Sequence, residues 1–444
     1  MKIKSITVGG FRNLRKTQLL LGNITAIISP NNYGKSNLLE AIDFGAKFLS
    51  SNSKGRGFMM RWIRGIPINS ALAHEPFYFS VEFEDEKLGC HRFVRYGFTF
   101  SWYRDDGSGQ AITDEWLETR ATESVRYTSY LKRSEGKYRP SKDSASFRKL
   151  ALENTQLSID VLSALEEIDL HPIITAIRNI HYHICSSLDL GERFQAAPIE
   201  YIDDTADGSI AFDDKDVPRA LYQLSQKDPE RYSLFLEAVY SLFPEFIDVT
   251  VQPYELKQKP DINMVVIGTD AQIASDADAA VPFRIRDEMY RILITSQNLN
   301  QPINMSMMST GTKRIFWLLA NVFIASSQGI ALVGVEELET SIHPRLLKGL
   351  LDTLDEVLAD TSLIISSHSP FLVQYIKPEK IYVGAPHQDG TAHFCKVQPN
   401  RVKSLVSASR DVGMSVGEYL FELMTGDTDS AATLSFYLGG APNG

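Results

Sequence analysis

Residues 24–42 read ITAIISPNNYGKSNLLEAI, and the fold turns on how this stretch is parsed. Ile24–Ile28 is apolar and rich in β-branched side chains, the pattern of a buried strand. Pro30, Asn31, Asn32 and Gly34 are turn formers, and Asn37–Phe44 then sets Leu38, Leu39 and Ile42 on one helical face. Strand, loop and helix in that order make the setting of a phosphate-binding loop. Backbone N–H groups in the loop and at the helix start point at an anion, and the helix dipole adds favourable potential. In the motif G-x-x-x-x-G-K-[ST] the lysine reaches the β- and γ-phosphates and the hydroxyl completes a Mg²⁺ shell, roles that fall to Lys35 and Ser36. Ser29 stands where the first glycine is usual; a small residue can still make that turn. The competing reading is a chance Gly-Lys-Ser in a surface turn.

A second element lies far downstream. IALVGVEELETSIHP (330–344) is an apolar strand ending in carboxylates. Buried strands seldom end in paired acids unless a cation or a proton transfer requires them. Counting from the apolar run, Glu336 takes the metal-side position and Glu337 the water-activating one, on a strand expected beside the phosphate-loop strand. TSLIISSHSPFLV (361–373) is a further apolar strand, closing in Ser367, His368, Ser369 and Pro370. A histidine at the carboxyl end of a buried parallel strand is placed to touch a γ-phosphate. Between the two strands, leucines at 346, 347, 350, 351 and 354 mark an amphipathic crossover helix with proline in its first turn. Strand, helix, strand implies a parallel sheet with a right-handed connection. Upstream, NMSMMSTGTKRIFWLLANVFIA (304–325) opens with small hydroxyl and glycine residues and runs into an apolar helix, so Ser309 and Gly311 read either as a second anion site at a helix N-terminus or as the cap of an ordinary core helix.

Composition sets the outer bounds. A chain of 444 residues suggests two or three lobes. With 43% hydrophobic and 23% charged residues it reads as a globular chain, without an apolar run long enough to span a bilayer. The N-terminal MKIKSITVGGFRNL mixes charge with apolar residues, unlike a signal peptide. Three scattered cysteines, Cys90, Cys185 and Cys395, show no metal-ligand spacing and fit a reducing cytoplasm, so the expected localisation is cytoplasmic, with no membrane partner. The net charge of −10 argues against wholesale nucleic-acid coating and leaves room for a local basic patch.

Taken together, FRNL, SPNNYGKSNLLEAI, MSTGTKR, VEELETSIHP and SSHSPF occur in an order that resembles the ABC-type ATPase head of the SMC/RecF class. Within that class the chain is similar to the ATPase part of the overcoming-lysogenization-defect nucleases and their relatives in bacterial antiphage defence. The resemblance covers residues 1–50 and 300–376, and extends loosely over 76–120, which alternates like an antiparallel sheet and ends in an EWL segment. It implies an α/β fold: a P-loop ABC-type head, with a mixed sheet of parallel core, an antiparallel β lobe and a mainly helical insertion. It implies ATP and Mg²⁺ as cofactors, with Asn31, Asn32, Gly34, Lys35, Ser36 and Asn37 around the phosphates and Ser36 and Glu336 at the metal. Ser309 and Gly311 would complete the ATP site of a facing subunit, so a homo-oligomer, at least a dimer, is expected with ATP at the interface. Lys35, Glu337 and His368 carry the catalysis in this scheme, and His343 lies in the segment that meets the partner. Ser29, Glu336 and Leu338 depart from the family's glycine, aspartate and proline; the longer Glu336 bears on hydrolysis more than on binding.

The intervening chain defines the kind of relative. Three parts are expected: residues 1–120 as the N-terminal lobe, 121–295 as a mainly helical insertion with returning strands, and 296–444 as the C-terminal lobe. The basic run YTSYLKRSEGKYRPSKDSASFRK (127–149) reads as a solvated loop or a DNA contact, and ALENTQLSIDVLSALEEI (151–168) as helix. FIDVTVQPYELK, INMVVIG and VPFRIRDEM read as strands leading to the signature helix. No heptad run long enough for coiled-coil arms is present. After His368 the expectation is two strands and a closing helix, too little for a TOPRIM nuclease; DTD at 427–429 reads as tail.

The function expected from all this is an ATP-hydrolysing sensor or regulator in antiphage defence. It would control a separately encoded effector nuclease, of TOPRIM or HNH type as in the PARIS and Septu systems, with a phage protein as trigger. The alternatives are a RecF-like DNA-binding ATPase of repair, with DNA as partner, and a scaffold that binds ATP without turning it over.

Overall fold

In the computed structural model the described residues are all but 62–66, 105, 140–145, 147, 166–169, 186–192, 195–198, 202–215, 256–282, 286–287, 385–388 and 439–444. The chain divides into two compact units, Met1–Ser187 with Gly329–Gly444, and Leu188–Gln328.

The first unit begins with β1 (Lys2–Gly9), β2 (Thr17–Leu20) and β3 (Ile24–Ile28), followed by α1 (Lys35–Ser50) and α2 (Ser53–Met59). Strands β4 (Phe77–Glu84), β5 (Phe93–Ser101), β6 (Ala111–Arg120), β7 (Thr128–Lys132), β8 (Lys137–Tyr138) and β9 (Arg148–Lys149) come next. Two short helices, α3 (Ser158–Leu162) and α4 (His171–Arg178), lead to β10 (Tyr182–Cys185). An eight-stranded antiparallel sheet has the order β2-β1-β4-β5-β6-β7-β8-β9. Its central strands alternate as the sequence suggests: Phe77, Phe79, Val81 and Phe83 point into the core, while Tyr78, Glu82 and Glu84 do not.

The described strands of the basic run 127–149, β7, β8 and β9, belong to this sheet. Tyr130, Leu131 and Tyr138 are buried and pull β7 and β8 onto the edge of β6, overriding the charge around them. Among the described residues of the segment expected as helix only Ser158–Leu162 is helical; the Asn154 carbonyl is taken by Ile112 N–H at 2.8 Å, tying that stretch to β6.

The second unit holds β11 (Ile199–Tyr201), α5 (Val217–Lys227), α6 (Pro229–Leu242), β12 (Phe246–Glu255), β13 (Phe283–Ile285), β14 (Glu288–Ser296), β15 (Ile303–Asn304) and α7 (Thr310–Ser327). The expected strand INMVVIG lies outside the described residues. From Arg314 to Ala325 α7 is buried on every side, as an all-round apolar helix must be. Phe316 and Phe323 of α7 meet Phe235 of α6 edge-on, with ring centroids 5.2 and 5.7 Å apart.

The chain returns to the first unit with β16 (Leu332–Glu336), α8 (Pro344–Val357), β17 (Ser362–Ser367), α9 (Pro370–Val373), β18 (Ile381–Gly384) and β19 (Phe394–Lys396). It closes with α10 (Val402–Asp411), α11 (Val416–Thr425) and α12 (Thr428–Leu438), so DTD opens a helix. The six-stranded sheet has the order β10-β16-β17-β3-β18-β19, parallel except for β19. Two features depart from the sequence reading. β10, drawn from a stretch read as helical, pairs with β16. β17 separates the acid-bearing strand from the phosphate-loop strand, because the crossover through α8 sets β17 down beside β16, on the β3 side. One core holds α1 together with both sheets. Phe48 of α1 stacks on Phe98 and Phe100 at 4.9 and 4.7 Å. Each such pair contributes about 0.5–1.5 kcal/mol beyond the area it buries.

Candidate functional site

The loop between β3 and α1 is held by two residues of positive φ, Asn32 at 60° and Gly34 at 100°. Asn tolerates that region through its short polar side chain; Gly34 has no choice. A Cβ on Gly34 would lie 2.7 Å from the Ala392 Cβ and 3.1 Å from Asn13 Oδ1. Ser29 has no positive φ and is fully buried, so nothing at that position calls for glycine. The Lys35 ammonium donates to the carbonyls of Ser29 and Pro30 at 2.8 and 3.0 Å. Burial lowers the Lys35 pKa, opposed by the charges of Glu337, Glu339 and Glu336. Asn31 and Asn32 are exposed at the tip of the loop. Asn37 braces the loop against the FRNL turn: its amide donates to Asn13 Oδ1 at 2.7 Å, and its own oxygen accepts from Arg12 at 3.1 Å. Arg12 continues to Glu40 of α1 at 2.6 Å.

The carboxyl ends of the parallel strands converge on this loop. Glu336 ends β16 opposite Ser366 of β17, and Ser367 lies opposite Ile28 of β3. The Ser36 hydroxyl faces the Glu336 carboxyl and favours its charged form. Burial pushes the Glu336 carboxyl up, with Ser36 and Lys35 pulling against it and Glu40 and Glu337 adding to it. Glu337 follows in a strained left-handed conformation, φ 46°, held by its N–H to the Ser366 carbonyl at 2.9 Å. Its Oε1 lies 3.4 Å from His368 Nδ1. The phosphate-loop lysine and hydroxyl, both acids and the strand-end histidine therefore lie together at the sheet's carboxyl edge.

Ser36 and Glu336 offer two hard oxygen donors at one point, which suits Mg²⁺. Among the described residues no group of three His, Cys, Asp or Glu side chains could hold a metal alone.

Sequence reasoning passed over Glu339 and the FRNL side chains. Glu339 accepts from Ser367 Oγ at 2.7 Å and from His368 N–H at 3.3 Å. Its signal was the alternation Glu337, Glu339 after the strand, obscured by the closer pair Glu336, Glu337. His343 caps α8, its Nδ1 accepting from Arg345 N–H at 3.2 Å. Ser309 and Gly311 belong to the second unit. Ser309 is exposed and caps α7, its hydroxyl accepting from Thr312 N–H at 3.2 Å.

Residues 24–374 match the model of the family described as AAA domain, putative AbiEii toxin, Type IV TA system. No curated protein matches the chain. Among solved structures, the SMC head bound to the C-winged helix domain of ScpA aligns over 91% of this chain and 100% of its own, at 14% identity and a TM-score of 0.51. The SMC head domain from Thermotoga maritima aligns over 90% and 100%, at 11% identity and TM-score 0.42. An Smc head with an extended coiled coil, bound to the C-terminal domain of ScpA derived from Pyrococcus furiosus, aligns over 92% and 99%, at 13% and 0.46. The fold is that of an SMC-type head, a mixed α/β P-loop ATPase architecture. No helix among the described residues is long and apolar enough to cross a membrane.

Proposed function

The chain belongs to the AAA-domain family whose model spans residues 24–374, and from that premise we propose that it binds and hydrolyses ATP with Mg²⁺ as a switch. The observation that carries this is the meeting of Lys35, Ser36, Glu336, Glu337 and His368 at the carboxyl edge of one sheet. The loop N–H groups and Lys35 bind the phosphates, and Ser36 and Glu336 hold the metal. Mg²⁺, when bound, neutralises charge on the β- and γ-phosphate oxygens. Glu337 orients the attacking water and takes its proton at Oε1 or Oε2, while His368 faces the terminal phosphate. Ser309 and Gly311 of a second copy close the site, so binding energy goes into fixing an interface and hydrolysis releases it.

The biological reading is a cytoplasmic regulator in antiphage defence that restrains a separately encoded effector nuclease until a phage protein triggers it. The family's toxin–antitoxin description supports a partnered, two-component arrangement. Nucleotide binding and phosphate release test the chemistry. Lys35→Ala should abolish Mg·ATP binding, whereas Glu337→Gln should keep it and lose turnover by on the order of 10²-fold or more. Equal turnover by Glu337→Gln removes its assignment. Co-purification from the native host tests the partner: a nuclease released on phage infection supports the regulator, and ATP-stimulated DNA binding without one favours a repair role.

A further inference from the structure

Glu339 is the acid of this cluster that has no part in the scheme above, and its surroundings differ from those of its neighbours. Its side chain is 8% exposed, against 49% for Glu337. One oxygen, Oε1, accepts from Ser367 Oγ at 2.7 Å and from His368 N–H at 3.3 Å. The Ser367 hydroxyl in turn accepts from Ser369 N–H at 2.9 Å. Three consecutive residues of the histidine loop thus hang on a single carboxylate oxygen, directly or through one hydroxyl. The other oxygen, Oε2, is buried without a hydrogen-bond partner among the described residues. A buried carboxylate satisfied through one oxygen is a poor packing choice, so what that oxygen fixes is what sets its place.

The backbone extends the argument. Thr340 N–H closes a turn onto the Glu337 carbonyl at 3.0 Å, and Ile342 N–H does the same onto Glu339 at 3.1 Å. Glu337 and Glu339 therefore ride on one tight turn. His368 Nδ1 lies 3.4 Å from Glu337 and 3.9 Å from Glu339.

We infer that Glu339 is a positioning residue: it clamps Ser367–Ser369 to the acidic turn, so that the His368 ring and the Glu337 carboxylate move as one body. In this role it acts through the histidine loop and not on the reacting atoms. Its effect on turnover rests on the nucleotide reading above; the clamp itself does not.

The test compares Glu339→Ala, Glu339→Gln and Ser367→Ala in the full chain. Amide hydrogen exchange at His368 and Ser369 reads the clamp, and kcat and KM for Mg·ATP read its consequence. Glu339→Ala should speed exchange at both amides and lower kcat by on the order of 10- to 100-fold, a misplacement effect, with KM within about twofold. Glu339→Gln should restore both, since its carbonyl oxygen accepts the same two bonds. Ser367→Ala should speed exchange at Ser369 in a protein that keeps the carboxylate, which guards against a Glu339→Ala variant that fails to fold. Unchanged exchange in Glu339→Ala overturns the clamp, and a Glu339→Gln variant as slow as Glu339→Ala shows that the charge is used directly. A wild-type protein without ATP turnover refutes the nucleotide reading alone, because the exchange comparison still decides the clamp.

Discussion

Gly34 and Ser29 share one loop and answer to different constraints. Gly34 sits at φ 100° with Ala392 and Asn13 where a side chain would go, whereas Ser29 occupies ordinary backbone. Gly34→Ala is therefore expected to cost about 1–3 kcal/mol in left-handed strain alone, to add a clash, and to weaken Mg·ATP binding. Ser29→Gly should change stability by under about 1 kcal/mol. Denaturant titration of both variants, with nucleotide binding, checks the pair; a Ser29→Gly more damaging than Gly34→Ala would reverse the account. At this scale the sequence is most legible where spacing fixes chemistry, as for Lys35, Ser36 and the acids that meet them. Glu339 and Asn37 show the limit. Whether a carboxylate or an amide braces backbone or faces solvent is set by residues distant in sequence, here Ser367 for Glu339, and Arg12 and Asn13 for Asn37.

Elements carry a second kind of constraint, in which a local rule is overturned by what lies across the core. Gly45 is in the middle of α1, where replacing glycine by alanine ordinarily gains about 0.5–1 kcal/mol. Its missing Cβ would lie 2.1 Å from the buried Phe79 ring, so Gly45→Ala should instead lose roughly 1–3 kcal/mol by overpacking. A measured gain would mean that the helix and the sheet can part.

Glu115 of β6 offers an element-scale test by pH. It is fully buried and accepts the first N–H groups of α3, from Ser158 at 2.6 Å and Ile159 at 3.2 Å. Burial raises its pKa, against those bonds and Arg133, so the folded protein takes up this proton more readily than the unfolded chain. That contribution is fully present below the ordinary carboxyl value and is lost as pH rises through the raised one. The stability of wild type minus that of Glu115→Gln should therefore be greater near about pH 5 than near about pH 7.5, other titrations cancelling. A difference that is flat, or grows with pH, contradicts the assignment. Strand patterns were readable where apolar residues alternate cleanly, in β4 and β5. They were not in β7 and β8, where a few buried aromatics work against a crowd of lysines and arginines, nor in β10, whose four residues sit between polar neighbours.

For the whole molecule, the decisive feature is that the two halves of the proposed ATP site fall in different compact units. Lys35, Glu336, Glu337 and His368 belong to the first, and Ser309 and Gly311 to the second. Sequence order alone brings the lysine and the acids into one reading, because the strand–loop–helix motif and the strand–helix–strand motif each fix a sheet edge. No such local rule binds the segment around Ser309 and Gly311 to them, and the role proposed for it rests on a second copy. Around it Met307 is 73% exposed, and Ser309 and Thr310 are open to solvent. If the loop closes the site of a second copy, Glu337→Gln should form a dimer with Mg·ATP and remain a monomer with ADP. Ser309→Asp isolates the loop's part in this. Aspartate caps a helix about as well as serine, so α7 should keep its stability within about 0.5 kcal/mol. Yet a carboxylate there repels a triphosphate, so ATP-driven association should vanish while each copy still binds nucleotide through Lys35. Mass measurements with and without Mg·ATP, on Glu337→Gln and on Glu337→Gln with Ser309→Asp, distinguish the outcomes. Undiminished association in the double variant would move the interface away from α7, and with it the idea that one copy's helix completes the other's site.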